Sequence, residues 1–156
     1  MRKSLMIVFA MLATAAIAFA ADNSIGTWKL DVAKSTQAAG VSPIKNLTVV
    51  RKAAPGGVET TVTGDRADGS RIDTRYTAKY DGKDVTLSGS GLPYDTVSLT
   101  QVDANTLTDH RTKKGGSYNA KGRFVVSMDG KSAVLEVTGT GADGKPFTSK
   151  SVYAKQ

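Results

Sequence analysis

The chain has 156 residues, no cysteine and one histidine, and its 21 basic against 14 acidic residues give a formal net charge of +7 at pH 7. The lack of cysteine excludes disulfides, thiol catalysis and thiolate metal sites, and a single histidine makes a zinc site very hard to build. Acidic and basic residues alternate along the chain, and no basic stripe is interleaved with aromatic residues, so we expect no nucleic-acid partner.

The first twenty residues have the pattern of a secretory signal peptide. Two basic residues at positions 2 and 3 precede the apolar run Leu5–Ile17, which is too short for a membrane span, and Ala18-Phe19-Ala20 fits the small-x-small cleavage rule. An uncleaved anchor helix is the alternative. We expect cleavage before Ala21, a periplasmic or secreted location without stable membrane insertion, and a single β-barrel domain over residues 21–156.

The mature chain consists of short strands in series. Trp28, Leu30 and Val32 alternate with polar residues, which is the period of a half-buried first strand. The clearest strand is 71–80, and we expect one of its faces to point inward: Ile72, Thr74, Tyr76, Ala78 and Tyr80. Further strands are expected, in chain order, at 47–50, 58–62, 85–87, 96–102, 106–112, 118–128, 133–137 and 147–155.

Glycine-containing turns separate these strands. Asp-Gly-Lys begins at Asp81, Asp129 and Asp143, at unequal intervals that indicate turns and not a structural repeat. Asp68-Gly69 predicts a type I′ hairpin, and Gly122, midway along a strand, predicts a bend or bulge. Because closure removes exposed edges, the series predicts an all-β fold, an antiparallel up-and-down meander of about 8–10 strands closed into a barrel.

The opening Gly26-Thr27-Trp28-Lys29-Leu30 resembles the first strand of the calycins, the lipocalins and fatty-acid-binding proteins, which carry G-x-W there. The ending 148–155 is similar to that of a fatty-acid-binding protein, with Tyr153 at the matching tyrosine. Small exported bacterial lipocalin-like proteins of undefined function share this opening, the Asp-Gly-Lys turns and a Ser-Val-Tyr ending. The resemblance implies a calycin-like barrel that binds a small molecule.

Two departures from the fatty-acid-binding proteins limit what the resemblance carries over. The connection 33–44 is too short for their two-helix lid, and Ser151 occupies the place of the arginine that holds the ligand carboxylate, so that anion clamp is not implied. In lipocalins a basic side chain near the last strand packs across the tryptophan. Lys150 is the candidate here, although it alternates out of phase with Tyr153.

We expect aromatic side chains to point into the barrel, among small residues that leave space for a ligand. The predicted ligand is a small apolar or weakly polar molecule. Trp28 and Lys150 are predicted to have a structural role at the closed end, and the predicted ligand-binding residues are Tyr76, Tyr80, Leu99, Phe124 and Tyr153. A filled barrel is the alternative; it would make the chain an envelope interaction or stress-protection protein with a surface site, for instance at 88–94.

No catalytic constellation is recognisable, and we expect no enzymatic activity, no metal and no cofactor. Neighbours in a strand point to opposite faces, so Asp109 is poorly placed to share a proton with His110, which we predict to lie on the surface. Asp109 is in register with Leu107 and is the candidate buried carboxylate of a cofactor-free enzyme. We expect Ser88–Gly91 to be a flexible hairpin or a barrel-rim loop, and the chain to be a monomer or weak dimer.

Overall fold

The computed structural model describes residues 21–38 and 41–156, which form one antiparallel sheet of eleven strands. The predicted signal peptide lies outside the described residues. The strands are β1 (Gly26–Thr36), β2 (Ile44–Ala54), β3 (Gly57–Arg66), β4 (Arg71–Lys79), β5 (Val85–Thr86), β6 (Ser88–Ser90), β7 (Thr96–Asp103), β8 (Thr106–Thr112), β9 (Asn119–Val126), β10 (Ser132–Thr140) and β11 (Pro146–Lys155). Within the described residues no helix is long and apolar enough to cross a membrane.

The sheet curls into a nearly closed barrel. β1 pairs with β11, with Trp28 opposite Lys155 and Leu30 opposite Tyr153, and the long strands follow one another in chain order. Between β4 and β7 the ladder is incomplete: β6 pairs with β4, β5 pairs with β7, and an isolated bridge joins Asp81 to Thr100. The predicted all-β, antiparallel up-and-down meander is confirmed, with eleven strands because 85–90 forms two short strands where one was expected.

Alternation decides which side chains enter the barrel. Along β4, Ile72, Thr74, Tyr76 and Ala78 are buried while the residues between them are exposed, as predicted. A strand with one face on a core and the other in water requires this period of two. Of the hairpin or rim loop expected at 88–91, the rim loop is wrong, because Ser88–Ser90 is an edge strand hydrogen-bonded to β4.

The turns are built by aspartate and glycine. In each Asp-Gly-Lys turn the aspartate Oδ1 accepts a hydrogen bond from the lysine amide at 3.0–3.1 Å, and the glycine has a φ of 70–77°. The type I′ prediction at Asp68-Gly69 is wrong. That turn needs positive φ at both central residues, but Gly69 has φ 83° and no described residue other than glycine has positive φ. The Arg66 amide donates to Ser70 at 2.9 Å, so the hairpin has a longer loop.

Residues 21–25 cover one end of the barrel. The Asn23 amide donates to the Ala104 carbonyl at 2.9 Å, and the Gln101 side chain donates to the Ala21 carbonyl at 2.9 Å. Beneath this segment lies the fully buried Trp28, which packs edge-on against Phe124 at a centroid distance of 5.5 Å. This end is therefore closed, while the β1–β2, β8–β9 and β10–β11 connections meet at the other end.

Candidate functional site: the barrel interior

A cavity of about 760 Å³ occupies the barrel between the Trp28 end and the opposite rim. Its mouth is formed by residues of the β1–β2 connection, the 92–94 segment and the β10–β11 turn. The wall is mostly aliphatic and aromatic, and it includes Leu47, Val49, Val62, Tyr76, Phe124, Leu135, Val137 and Tyr153. The interior therefore has room for a molecule of ligand size.

Three of the five predicted ligand-binding residues line this cavity: Tyr76, Phe124 and Tyr153. Leu99 and Tyr80 are not part of its wall. Leu99 is buried with Val97 and Ala78, because β4 and β7 approach closely where the ladder is incomplete and their side chains fill that side. Tyr80 lies just beyond β4, where its hydroxyl donates to the carboxylate of Asp22. Alternation identified the inward face but not which inward residues border open space.

The basic side chain over Trp28 is Lys155, not the predicted Lys150. Lys155 pairs directly with Trp28, and its Nζ lies 5.0 Å from the centre of the indole ring. Lys150 pairs with Glu136 and is exposed on the outer face. Directly paired residues share a face of the sheet, so the register places Lys155 on the tryptophan. The Trp28 Nε1 donates to the Ser24 carbonyl at 2.7 Å, which fixes the ring at the closed end.

Asp109 and Arg111 form an ion pair inside the barrel. The Arg111 Nε and Nη2 each donate to a different carboxylate oxygen of Asp109 at 2.7 Å, and the side chains are 13% and 6% exposed for Arg111 and Asp109. Burial opposes the charge on Arg111, but the Asp109 carboxylate more than offsets it and holds the pKa of the guanidinium above its ordinary value. Sequence analysis identified Asp109 as inward but missed Arg111, although residues two apart on a strand share a face.

Gly122 makes room for this pair. It lies opposite Asp109, and a β-carbon on Gly122 would lie 2.5 Å from Oδ1 of Asp109. Of the bend or bulge expected at Gly122, the bulge is wrong, because β9 keeps an unbroken register with both β8 and β10 through this residue. The glycine serves a close side-chain approach.

Aromatic rings extend from the ion pair toward the mouth. The Arg111 Cζ lies 5.2 Å from the ring centre of Tyr94, which stacks on Tyr118 at 5.6 Å, and Tyr118 contacts Phe147 at 5.7 Å. Burial raises the pKa of both the Tyr94 and the Tyr118 hydroxyl. Tyr94 was not predicted to face the interior, because it belongs to no strand and the alternation of inward and outward residues applies only within strands.

Arg51 is a second arginine in the interior, projecting from β2. It is 7% exposed, and its Cζ lies 4.8 Å from the centre of the Phe124 ring. Its Nε and Nη1 have no hydrogen-bond partner among the described residues, and neither has the buried Oγ1 of Thr60, which pairs with Arg51 across β2 and β3. Arg51 has the same strand parity as Val49 and Leu47, which is the signal that could have placed it inside.

The arrangement is suited to binding more than to catalysis. The described residues contain no group of three or more His, Cys, Asp or Glu side chains that could hold a metal. The Nε2 of His110 lies 2.9 Å from Oδ1 of Asn119 in an exposed pair, and His110 is opposite the exposed Lys121, so the histidine and Asp109 are on different faces. What remains inside is an apolar wall, one ion pair and one unpaired guanidinium.

No family model matches the sequence, and no curated protein matches it. Among solved structures, the chain is similar to the crystal structure of zebrafish ileal bile acid-binding protein complexed with cholic acid. The TM-score is 0.49 at 12% sequence identity, covering 86% of this chain and 100% of that chain. At this level the likeness assigns no ligand and no residue to the present chain.

Proposed function

We propose that the mature chain is an exported, lipocalin-like binding protein that holds a small, mainly apolar molecule inside the barrel. The observation that carries this proposal is the cavity of about 760 Å³, which lies in the size range of small-molecule sites. A barrel that needed its interior only for stability would fill it with side chains. Export rests on the signal-peptide pattern of residues 1–20 and is tested by the N-terminal sequence of the secreted or periplasmic protein.

The two ends of the barrel differ in structure, which supports entry of the ligand at the end opposite Trp28. The Trp28 end has a buried aromatic floor covered by residues 21–25, whereas the opposite end is bordered by connections between strands. A ligand that enters at the mouth would bury its apolar surface against Val62, Leu135 and Phe124. Each Å² of apolar surface removed from water contributes roughly 25 cal/mol, which makes such burial the main source of affinity.

The two other functions that the sequence left open find less support. A surface-binding protein with a filled core does not account for the cavity. A cofactor-free enzyme would use Asp109 as its buried base, but Arg111 engages both carboxylate oxygens of Asp109. A general base must also reach a substrate proton, and Asp109 is not among the residues that line the cavity.

The direct test is titration of the mature protein with a neutral, environment-sensitive dye such as 6-propionyl-2-(dimethylamino)naphthalene. Dye emission and the fluorescence of Trp28, the single tryptophan, are followed together. We expect saturable binding at one site per chain with a blue-shifted dye emission. Emission that stays at its aqueous wavelength up to the solubility limit of the dye would overturn the proposal.

A further inference from the structure

We infer that the ligand of the cavity carries a carboxylate, and that Arg51 and Thr60 bind it. The inference rests on the proposed function, because it names the chemical class of the molecule held at that same site. It differs from the arginine expected of fatty-acid-binding proteins near the chain's end, which is Ser151 here. The cation in this chain comes from the other side of the barrel, on β2.

The first argument is the unpaired guanidinium. Arg51 is 7% exposed, yet its Nε and Nη1 find no acceptor among the described residues. Its contact with the Phe124 ring offsets only part of the cost of burying a charge, because a ring face accepts no conventional hydrogen bond. A buried cation with two unused donors lacks a counterion, and an incoming anion would supply it.

The second argument is the neighbour of Arg51. Thr60 is paired with Arg51 across the β2–β3 ladder, is 1% exposed, and has a hydroxyl that is also without a partner among the described residues. Both residues line the cavity. Charge-assisted hydrogen bonds from a guanidinium to a carboxylate are stronger than neutral ones, and the Thr60 hydroxyl offers a further donor beside Arg51.

The other basic side chains that line the cavity are either hydrogen-bonded to the protein or exposed at its mouth. Arg111 is neutralised by Asp109 through two hydrogen bonds. Arg66 donates from Nη1 to the Ser42 carbonyl at 2.8 Å and from Nη2 to the Gly91 carbonyl at 3.0 Å, both at the mouth. Lys145 is exposed on the rim. Arg51 is therefore the buried basic side chain of the cavity wall that has neither a counterion nor a hydrogen-bond acceptor among the described residues.

Chain register sets the orientation of the ligand. Arg51 pairs with Gly26, two residues before Trp28, so its guanidinium lies toward the closed end. The carboxylate of Asp22 also lies at that end, but it accepts hydrogen bonds from the Tyr80 hydroxyl and the Ser24 amide and is not bonded to Arg51. The carboxylate would lie deep in the barrel, with the apolar part of the molecule directed past Tyr153 toward the aromatic rings at the mouth.

The experiment compares a ten-carbon carboxylate, decanoate, with its uncharged methyl ester as competitors of the bound neutral dye. In the wild-type protein we expect decanoate to bind at least tenfold more tightly than the ester. In Arg51→Met the preference should vanish while ester binding is kept, and in Thr60→Val it should fall severalfold. The matched control is Lys52→Met, on the exposed outer face of the same strand, which should retain the full preference.

The outcomes separate the two proposals. If the wild-type protein binds the ester as tightly as decanoate, or if the preference survives in Arg51→Met, the carboxylate inference is wrong and the binding function stands. If neither the dye nor either competitor binds, the proposed function fails and the inference fails with it. Retained ester binding shows that the Arg51→Met variant is folded. If that variant does not fold, the preference for decanoate over the ester in Thr60→Val tests the inference instead.

Discussion

Asp109 and Arg111 lie two residues apart on β8 and join inside the barrel through two hydrogen bonds of 2.7 Å. The pair leaves the interior wall nearly neutral on the β8 side, opposite an unpaired cation on β2. It also fixes the guanidinium against Tyr94 and so positions the aromatic rings at the mouth. An ion pair that would otherwise suggest a catalytic site here contributes Arg111 to the wall of the cavity.

Removing the carboxylate of that pair should destabilise the protein. In Asp109→Asn a nearly buried Arg111 loses its counterion, and we expect the free energy of unfolding to fall by about 3 kcal/mol. The double variant Asp109→Asn with Arg111→Met should recover a large part of this loss, because no unpaired charge remains. Urea unfolding of both variants measures the difference. Equal stabilities of the single and the double variant would show that the pair is not electrostatically coupled.

The space that Gly122 leaves for Asp109 can be tested with one methyl group. Gly122→Ala would place its β-carbon 2.5 Å from Oδ1 of Asp109 and push the carboxylate off Arg111. We expect a loss of about 2 kcal/mol in the free energy of unfolding, in the range of overpacked interiors. Lys121→Ala, on the exposed face of the same strand, is the control and should change stability by less than about 0.5 kcal/mol. A neutral Gly122→Ala would mean that the strand can shift.

Arg51 should cost stability in the ligand-free protein. Arg51→Met keeps an unbranched apolar side chain and removes donors that have no partner among the described residues, so we expect a gain of about 1 kcal/mol in the free energy of unfolding. Chemical denaturation of ligand-free protein measures it. Destabilisation by a similar amount would indicate that Arg51 serves mainly as packing against Phe124.

Alkaline solution should weaken the fold through its tyrosines. Burial raises the pKa of Tyr94 and Tyr153, and burial together with the Asp22 hydrogen bond raises that of Tyr80. In the unfolded chain tyrosine ionises near pH 10. Above that pH the unfolded state binds fewer protons than the folded state, so the free energy of unfolding falls as pH rises, and below about pH 9 these groups contribute no slope.

Absorbance at 295 nm provides the measurement for this pH dependence. Fewer of the five tyrosines should ionise between pH 9 and 11 in the native protein than in denaturant. Tyr94→Phe should reduce the alkaline slope of the unfolding free energy. Native and denatured titration curves that coincide would contradict the buried placement of these hydroxyls.

Much of the fold could be predicted because its signals are local. The alternation along β4 and the Asp-Gly-Lys turns each depend on residues only a few positions apart. These local patterns were enough to predict the all-β meander. The turn type predicted at Asp68-Gly69 was wrong because Asp-Gly is compatible with more than one hairpin geometry, and the pairing of the flanking strands selects between them.

The site was harder to predict because it depends on pairing between distant strands. Lys155 lies over Trp28 through the register of the first and last strands, which no local pattern specifies. Leu99 and Tyr80 were predicted to point inward like Tyr76. Because the ladder between β4 and β7 is incomplete, these two side chains pack against each other's neighbours there and do not border the cavity. Arg111 was overlooked because charged residues in strands are ordinarily assigned to the outer face. Arg51 was overlooked because the predicted strand 47–50 ended one residue before it, whereas β2 extends to Ala54.

The central claim is that the interior binds a ligand, and the most direct measurement is dye affinity in a variant that fills the cavity. Ser149 lines the cavity on β11, and Thr138 is exposed on the outer face of the neighbouring strand. In titrations with the neutral dye, Ser149→Phe should weaken binding at least tenfold, while Thr138→Phe should bind as the wild type does. Equal dye affinity in the two variants would place the binding site outside the barrel and contradict the account.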